Sequence, residues 1–285
     1  MKFKKKLNFN NTFIIAEIGI NHNGNLEKAL KLIEAAKFAG CDAVKFQKRT
    51  PELCVPKDQW LIKRETPWGV MNYIDYKKKI EFNKKDYDQI DNFCKKIDIL
   101  WTASCWDIKA LKFIENYKVK FHKVASACIT DIKLLKEIKK TKKPVIISTG
   151  MSTEKEIHQA VKIFDEKNLA ILHCNSSYPA PTNQLNLLYI KTLRRKYKDA
   201  IIGYSGHEMN LASSVAAVVL GAEIIERHIT LDKTLWGTDQ KASIEPLGLA
   251  RLIKDIRVVE QSLGLEKKII YDEELKIKKK LRNIK

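Results

Sequence analysis

The sequence predicts an α/β fold, a (β/α)8 TIM barrel in a single domain, from three observations. Short apolar, β-branched runs alternate with longer amphipathic segments, a rhythm typical of parallel strands joined by crossover helices. Eight such runs occur in about 260 residues, close to the ~250 residues of a (β/α)8 barrel. No linker divides the chain, so residues 1–265 are expected to form the barrel and residues 266–285 a basic, helical C-terminal tail.

The predicted strands follow one another at regular intervals. In chain order they are FIIAEI (13–18), DAVKFQ (42–47), ILWTAS (99–104), KFHKVAS (120–126), PVIIST (144–149), LAILHC (169–174), AIIGYS (200–205) and EIIERHI (223–229). A helical pattern follows each strand. The first helix starts after Asn25, a capping residue, and ends at Gly40, which suits a left-handed terminus. Others are predicted to open at Thr153 and to span residues 209–220.

One connection is longer than its unit requires. It spans residues 48–82, between the second strand and its helix, and is rich in proline and aromatic residues. Long βα loops lie at the barrel face where catalysis occurs. This segment is therefore expected either to contact the substrate or only to cover the mouth of the barrel.

Composition excludes several classes of protein. With 45% hydrophobic residues the chain has enough apolar surface to fold, so disorder and fibrous repeats are excluded. The longest apolar stretch, residues 215–222, is far shorter than the ~20 residues of a membrane span. The basic N-terminus lacks the apolar core of a secretory signal. The six cysteines show no CxxC spacing and are expected to be free thiols of a cytoplasmic protein.

The formal charge of +19 admits a basic nucleic-acid-binding protein as an alternative. However, the chain has 45 lysines and only 8 arginines, spread along its whole length. Readout of phosphate or bases favours arginine. No nucleic-acid partner is therefore expected, although a basic field would assist an enzyme whose substrate carries phosphate or carboxylate.

Polar side chains occur at the carboxyl end of nearly every predicted strand. Because these ends converge in a barrel, we expect one pocket there. In strand order they are Glu17; Lys45 and Gln47; Thr102 and Ser104; Lys123 and Ser126; Ser148 and Thr149; His173, Asn175 and Ser176; Ser205 and His207; Glu226 and His228.

The chemistry of these residues divides into two groups. The lysines Lys45 and Lys123, together with hydroxyls and amides, suit a phosphate and a carboxylate. The neighbouring imidazoles of His207 and His228 suit a divalent metal, unless they are only hydrogen-bonded at the rim. Candidates for a third, oxygen ligand, or for contacts to water or sugar hydroxyls, are Glu17 and Asp239.

Three further histidines are weaker candidates for a functional role. His22 lies in a loop that could touch substrate. His122 is expected to point away from the pocket, because side chains alternate along a strand. His158 falls within a helix, so His122 and His158 are both expected to be structural.

Several motifs occur in order along the chain and together resemble the N-acetylneuraminate (sialic acid) synthase family. They are AEIGINHNGN (16–25), VKFQ (44–47), KVASACITD (123–131), PVIISTGMS (144–152), LHCNSSYPAP (172–181), IGYSGHE (202–208) and ERHITLDKTLWGTDQKAS (226–243). The similarity covers about residues 13–265.

The resemblance implies condensation of phosphoenolpyruvate (PEP) with an N-acyl amino sugar such as N-acetylmannosamine. The products would be a 2-keto-3-deoxy nonulosonic acid and phosphate. A divalent metal is implied, with Mn²⁺ favoured over Mg²⁺ or Co²⁺. The implied PEP contacts are Lys45, Lys123, Ser126, Ser148, Asn175, Ser176 and Ser205. The implied metal ligands are His207 and His228, and the implied sugar contacts are Glu17, Tyr178, Asp239 and Gln47.

Many family members continue into a small antifreeze-like C-terminal domain that completes the partner subunit's site in a dimer. This chain ends at Lys285. A homodimer is expected. The contact from that domain is expected to be unnecessary for another sugar, to be supplied by a separate antifreeze-like partner, or to be replaced by the 48–82 loop. The nearest rival enzyme is a Schiff-base keto-acid aldolase, in which Lys45 or Lys123 forms an imine.

Overall fold

Eight parallel strands close into a barrel in the computed structural model, which describes residues 2–282. The strands are β1 (Phe13–Gly19), β2 (Ala43–Lys48), β3 (Lys63–Arg64), β4 (Met71–Asn72), β5 (Leu100–Cys105), β6 (His122–Val124), β7 (Val145–Ser148), β8 (Leu169–Cys174), β9 (Ile201–Gly206) and β10 (Ile224–His228). The barrel runs in the order β1-β10-β9-β8-β7-β6-β5-β2 and closes between β2 and β1. Strands β3 and β4 form a separate antiparallel hairpin. The predicted fold class is confirmed.

Helices surround the barrel, and several lie in the loops and termini. They are α1 (Lys2–Leu7), α2 (Leu26–Ala39), α3 (Pro51–Cys54), α4 (Tyr73–Ile80), α5 (Lys84–Lys96), α6 (Ile108–Glu115), α7 (Ile132–Lys140), α8 (Glu154–Val161), α9 (Tyr189–Lys196), α10 (Ala212–Val219), α11 (Pro246–Leu263) and α12 (Asp272–Leu281). None of these helices has the length and apolar character needed to cross a membrane.

The sequence signals for helix termini act as expected. The Asn25 side chain accepts a hydrogen bond from the Lys28 amide, and Gly40 adopts φ +94° at the end of α2. Thr153 opens α8 with a reciprocal capping box. Helix α10 starts later than predicted, at Ala212, and the Asn210 side chain accepts from the Ser213 amide at its start.

The fourth predicted strand is shorter in the structure than in the sequence pattern. Strand β6 ends at Val124, and residues 126–128 form a 3-10 turn. The turn brings the Ser126 hydroxyl within 3.0 Å of the Gly150 amide, which donates to it. The residues after Val124 therefore form a turn instead of extending the strand, and this turn places the Ser126 side chain in the pocket.

Apolar side chains fill the barrel's amino-terminal half. Phe13, Phe121 and Ile146 pack there with residues from α1 and the turn after it, including Phe3 and Phe9. Phe3 is fully buried, so α1 closes the bottom of the barrel. Polar groups are thereby left to the opposite, carboxyl-terminal mouth.

The long connection after β2 is folded. It contains α3, the β3–β4 hairpin and α4. The hairpin is joined to α4 by backbone bonds from the Tyr73 amide to the Ile62 carbonyl and from the Ile74 amide to the Trp60 carbonyl. Together these elements form one side of the barrel mouth, which we call the rim segment (residues 49–83).

The C-terminal segment from residue 266 contains α12. Acidic residues occupy the first turn of this helix and lysines the last turn, and its side chains are mostly exposed. The end of the predicted tail, residues 283–285, lies outside the described residues. The boundary at residue 265 stays a prediction.

Candidate active site

A cavity of about 250 Å³ opens at the carboxyl ends of the strands. Its lining residues are Glu17, Lys45, Gln47, Ser104, Trp106, Lys123, Ala125, Ser126, Ala127, Ser148, Met151, Cys174, Ser176, Tyr178, Ser205, His207, Glu226 and His228. Of the residues predicted to contact PEP, the metal or the sugar, all but two are among them, the exceptions being Asn175 and Asp239. Three residues predicted only as polar strand ends, Thr102, Thr149 and His173, also lie outside the lining.

Parallel register brings the charged side chains together. Glu17 is paired with Lys45 on one side and with His228 on the other, and Ser104 is paired with Lys123. Neighbouring residues in a parallel ladder project from the same face, so these side chains all enter the barrel. Strand alternation and register therefore position the charged side chains of the site.

Lys123 is held at the base of the cavity by a hydroxyl and a carboxylate. Its Nζ donates to Ser148 Oγ at 2.7 Å and lies 3.5 Å from Glu226 Oε1. The Ser205 hydroxyl donates to the same Glu226 oxygen at 3.1 Å. Each of these groups is buried, so an anion that enters meets preoriented donors instead of water.

Lys45 forms the second cationic centre. Its Nζ lies 2.5 Å from Glu17 Oε2, donates to Ser104 Oγ at 2.8 Å and lies 3.8 Å from Glu226 Oε2. The two lysines thus share Glu226 between them. We call the group formed by Lys45, Lys123, Ser104, Ser148, Ser205 and Glu226 the floor of the site.

The two carboxyl groups of the cavity have different pKa values. Burial raises the pKa of Glu17 to about 7, against the opposing charge of Lys45. Burial also opposes the charge on Glu226, but the ammonium groups of Lys123 and Lys45 lower its pKa to about 2. Carboxyl groups separated in this way suit different roles, Glu226 as a permanent anion and Glu17 as a proton carrier near neutral pH.

The pKa values of Lys45 and Lys123 are also shifted in opposite directions. Burial disfavours the charge of Lys45, but Glu17 and Glu226 raise its pKa above the ordinary value. Burial lowers the pKa of Lys123, and Glu226 only partly offsets this.

A concave backbone surface lies beside Lys123. A Cβ atom on Gly150 would lie 2.0 Å from Ser176 Oγ and 2.9 Å from Ser126 Oγ. No other residue fits there without displacing those hydroxyls. Gly150 therefore permits two predicted PEP contacts, Ser126 and Ser176, to approach each other across the chain after β7.

The two predicted metal ligands are adjacent. The ring centroids of His207 and His228 are 5.4 Å apart, and Tyr178 stacks on His207 at 4.1 Å. His207 Nδ1 lies 2.5 Å from the Asn175 carbonyl oxygen. Burial lowers the pKa of His207 to about 4 and that of His228 to about 3, so both imidazoles are neutral at pH 7. Neutral imidazole is the form that binds metal ions.

The imidazoles of His207 and His228 supply part of the ligand set that a divalent metal needs. His228 Nδ1 is buried without a hydrogen-bond partner in the described part of the chain, and Asp239 Oδ2 lies 3.9 Å from it. Residues 2–282 contain no group of three or more His, Cys, Asp or Glu side chains already arranged around one point. The chain thus offers two imidazoles, and further ligands would have to come from water, substrate or a carboxylate that moves.

Gln47 connects the cavity with the rim segment. Its amide nitrogen lies 3.2 Å from Glu17 Oε1, to which it donates, and its amide oxygen accepts from Arg49. Arg49 is buried, stacks over the Trp106 ring at 4.3 Å and lies 3.2 Å from Glu81. The guanidinium therefore sets which end of the Gln47 amide faces Glu17.

Asn175 and Asp239 occupy positions outside the cavity lining. The Asn175 side chain donates to the Gln184 carbonyl and accepts from the Ser177 amide, so it stabilises its own loop. Asp239 approaches the site only through His228. The substrate contacts predicted for these two residues stay predictions.

The other histidines lie away from the cavity lining. His22 stacks on Phe82 at 4.0 Å, and its Nδ1 accepts from the Gly24 amide. His122 faces outward from β6, with Nε2 3.1 Å from Glu115. His158 is exposed on α8.

Several cavity residues have no role in the sequence-based assignment. Glu226 and Ser104 were recognised only as polar strand ends, although both contact the lysines. Their position on the inward face of a strand was the signal. Trp106, which lines the cavity, and Gly150, which adjoins Ser126 and Ser176, lie in loops, and no periodicity marks them.

Comparisons with known proteins identify the family. The NeuB family profile matches residues 32–268. Human N-acetylneuraminate-9-phosphate synthase is 39% identical over 276 residues, which are 94% of this chain and 76% of that protein. The N,N'-diacetyllegionaminic acid synthase of Campylobacter jejuni is 36% identical over 262 residues, or 89% of this chain and 78% of the relative.

A solved structure agrees with these relatives. The crystal structure of N-acetylneuraminic acid (sialic acid) synthetase from Leptospira borgpetersenii serovar Hardjo-bovis, in complex with citrate, superposes with a TM-score of 0.84 at 35% identity. The match covers 96% of this chain and 94% of that chain. The chain therefore belongs to the NeuB family and is an enzyme of the sialic acid synthase type.

Proposed function

We propose that this enzyme condenses PEP with an N-acyl amino sugar of the N-acetylmannosamine type, giving a 2-keto-3-deoxy nonulosonic acid and inorganic phosphate. One observation carries the proposal. Two buried ammonium groups, Lys45 and Lys123, flank Glu226 in a cavity that also contains two neutral imidazoles, His207 and His228. Few other reactions need an anion site and a cation site in the same small cavity.

The floor would bind PEP. Its phosphate and carboxylate match two ammonium groups and a set of hydroxyls, to which the Ser126 and Ser176 side chains add donors beside Gly150. These side chains are buried or partly buried, and the floor groups and Ser126 are already hydrogen-bonded, so little reorganisation is needed when the anion binds. Positioning and fixed charge would therefore supply much of the rate acceleration.

The imidazoles would hold a divalent metal, with Mn²⁺ favoured. When bound, the metal supplies Lewis acidity toward the aldehyde of the open-chain sugar. His207 and His228 are the ligands from the chain, with Glu17 or Asp239 available to bind directly or through water. Tyr178 stacks on His207 and restricts the orientation of its ring.

The bond changes follow from the substrates. C3 of PEP attacks the sugar aldehyde carbon, a C–C bond forms, and positive charge develops at C2. The C=O electron pair moves to the aldehyde oxygen, which takes up a proton and becomes a hydroxyl. Water adds to C2 and loses one proton, and its second proton leaves as C2 becomes a ketone and the C2–O bond to phosphate breaks, with the electron pair of that bond leaving on the phosphate oxygen. The two protons of the water thus balance the one taken up by the aldehyde oxygen and the one taken up by the released phosphate. Glu17, whose pKa lies near 7, would accept the proton of the attacking water.

The names of the relatives leave the acceptor open. The human protein is named for a phosphorylated product and the Campylobacter jejuni protein for N,N'-diacetyllegionaminic acid. We therefore propose the substrate class, an N-acyl amino sugar with or without a phosphate ester.

The test is an assay of the purified chain with MnCl₂, PEP and a panel of amino sugars, with and without phosphate esters. PEP labelled with ¹⁸O in the C2–O–P bridge distinguishes the bond that breaks. We expect the label in inorganic phosphate and a nonulosonic acid by mass spectrometry. Label in the keto acid would overturn the proposed C–O cleavage, and no PEP consumption with any sugar would overturn the function.

One observation favours the aldolase alternative. Burial lowers the pKa of Lys123, which increases the fraction of free amine needed to form an imine. Treatment with pyruvate and borohydride, followed by mass spectrometry, tests this directly. We expect no adduct, because Lys123 is paired with Ser148 and Glu226. A covalent adduct at either lysine would replace the condensation scheme.

A further inference from the structure

A buried ion pair lies behind the two imidazoles, on the outer face of the barrel strands. The side chains of Arg227 and Glu208 are both fully buried, and Arg227 Nη1 lies 3.0 Å from Glu208 Oε1. Because Glu226 and His228 line the cavity, strand alternation directs the intervening Arg227 away from it. Neither member of the pair lines the cavity, and neither has a part in the bond changes proposed above.

The guanidinium of Arg227 binds the segment that follows β9. From Nη1 it donates to the Asn210 carbonyl at 3.1 Å and to Ser214 Oγ at 2.8 Å. From Nη2 it donates to the backbone carbonyl of Glu208. A single side chain of β10 therefore holds both the backbone after β9 and the first turns of α10.

The Glu208 carboxylate is itself held in one orientation. Its Oε2 accepts a hydrogen bond from the Tyr204 hydroxyl at 2.8 Å. A Cβ atom on Gly206 would lie 2.7 Å from that oxygen and 2.8 Å from the Tyr204 ring. Gly206 is also the residue paired with Arg227 in the ladder between β9 and β10. The missing side chain at residue 206 thus lets the carboxylate lie against the strand and meet the guanidinium.

Each member of the pair is the chain neighbour of one imidazole. His207 precedes Glu208, and His228 follows Arg227. Strand β9 ends at Gly206, so the backbone of His207 lies beyond the register of the β9–β10 ladder. The contacts of Arg227 with residues 208 and 210 continue the connection between the two segments past the end of that ladder.

Stability alone does not explain an ion pair at this position. Both charges are removed from water, and the desolvation of a buried pair can exceed the attraction between its charges. The Nε of Arg227 also has no hydrogen-bond partner within residues 2–282. Apolar side chains of similar volume often stabilise such a position equally well, but they cannot bind backbone carbonyls of a neighbouring segment.

We propose that the Arg227–Glu208 pair positions His207 relative to His228, and so sets the spacing at which the two imidazoles bind a divalent metal. The inference rests on the metal site of the proposed function and adds two positioning residues to it. Neither residue would touch the metal or a substrate. Side chains that orient metal ligands in this way typically change metal affinity by about 10- to 100-fold when they are replaced.

The experiment measures binding of Mn²⁺ by electron paramagnetic resonance of the free ion, and binding of PEP without metal by isothermal titration calorimetry. Arg227→Lys keeps the charge but cannot reach all the acceptors of the guanidinium together. The double variant Arg227→Met with Glu208→Leu replaces the pair by apolar side chains and is expected to fold, because buried pairs tolerate this exchange. Thermal unfolding of each variant checks the fold.

The matched control is Arg257→Lys. Arg257, on α11, also links two segments of the chain, because its Nη1 donates to the Thr12 carbonyl at 2.9 Å and to Glu260 Oε2 at 2.9 Å. Thr12 directly precedes β1, so this link lies at the end of the barrel opposite the imidazoles. Arg257→Lys should bind both Mn²⁺ and PEP as the wild type does.

We expect Arg227→Lys and the double variant to bind Mn²⁺ about 10- to 100-fold more weakly than the wild type. Their affinity for PEP should be unchanged, because Ser205 and Glu226 are held by strand register and by their own hydrogen bond. If neither variant folds, Ser214→Ala decides, since it removes one acceptor of the guanidinium. Its Mn²⁺ affinity should fall by about threefold, and an unchanged affinity would overturn the inference.

Two results would overturn the positioning role directly. One is wild-type Mn²⁺ affinity in either folded variant of Arg227. The other is a parallel loss of Mn²⁺ and PEP binding, which would indicate a role in folding alone. His228→Ala separates this inference from the proposed function. Normal Mn²⁺ binding by His228→Ala would overturn the proposed metal site, whereas a loss in His228→Ala without a loss in Arg227→Lys would overturn the pair alone.

Discussion

The charged side chains of the floor and of the rim segment are stabilised in different ways. On the floor each charged group has a partner on a neighbouring strand, as with Lys123 and Ser148 or Lys45 and Ser104. On the rim, Lys77 has no ionic partner among the described residues, and Arg49 comes from a loop. Side chains on strands are held by a rigid scaffold, whereas the sequences of loops vary more between relatives. Under the proposed function, the floor would bind PEP and the rim segment would contact the acceptor.

The largest expected effect comes from His228→Ala. Removal of this imidazole should abolish turnover stimulated by Mn²⁺ and weaken Mn²⁺ binding, measured by electron paramagnetic resonance of the free ion. The fold should persist, because the ring makes no hydrogen bond through Nδ1.

The control for this variant is His158→Ala, since His158 is exposed on α8. It should bind Mn²⁺ and turn over as the wild type does. Normal Mn²⁺ binding by His228→Ala would place the metal elsewhere.

Glu17→Gln should have the next largest effect. The pKa of Glu17 is raised to about 7, so its carboxylate fraction increases between pH 6 and 8, and kcat should rise over that range if Glu17 accepts a proton. Glu226, with a pKa of about 2, and His207, with a pKa of about 4, titrate well below this window. Removal of the base should lower kcat at pH 8 by about 10²- to 10³-fold.

The pH profile is the decisive measurement for this variant. The rise in kcat between pH 6 and 8 should vanish in Glu17→Gln. An unchanged rise would assign the ionisation to another group and remove Glu17 from the proton transfer.

Lys123→Met should act mainly on PEP. The loss of one charged donor is expected to lower kcat/KM for PEP by about 10²-fold, with the same loss for every acceptor that is used. Steady-state kinetics with two acceptors would show this, and Lys155→Met, an exposed lysine on α8, provides the control. A loss that depends on the acceptor would contradict the division between floor and rim.

The smallest effect is expected from Arg49→Lys on the rim. Lysine keeps the charge but cannot both stack on Trp106 and orient the Gln47 amide. The KM for the acceptor should rise by about threefold to tenfold, which corresponds to about 1 kcal/mol, because lysine keeps the charge and loses only the orienting hydrogen bond. The KM for PEP should not change, and Arg251→Lys, an exposed residue of α11, is the matched control.

Much of the floor could be predicted from sequence because it depends on periodicity. Alternation along a strand places Lys123 inward and His122 outward, and parallel register then brings Lys45 beside Glu17. The same reasoning identified Glu226 as a polar strand end, but its contact with both lysines depends on distances across the barrel. Spacing along the chain does not encode those distances.

The rim and the loops could not be predicted in this way. Asn175 follows a strand as the other pocket residues do, yet its side chain bonds within its own turn. Lys77 occurs in a run of three lysines, and only the packing of α4 shows that it is the buried one. Likewise, the basic N-terminus gave no sign that Phe3 closes the bottom of the barrel. In each case tertiary packing overrides the local pattern.

The pairing of β1 with β10 also constrains how the protein is made. Phe13 pairs with Ile224, so the first strand to leave the ribosome must wait for nearly the whole chain before it gains its second neighbour. Until then its edge is open to pairing with other chains. Slow translation near the end of the gene would prolong that exposure, and chaperone demand during synthesis should therefore depend on how quickly the last strand is delivered.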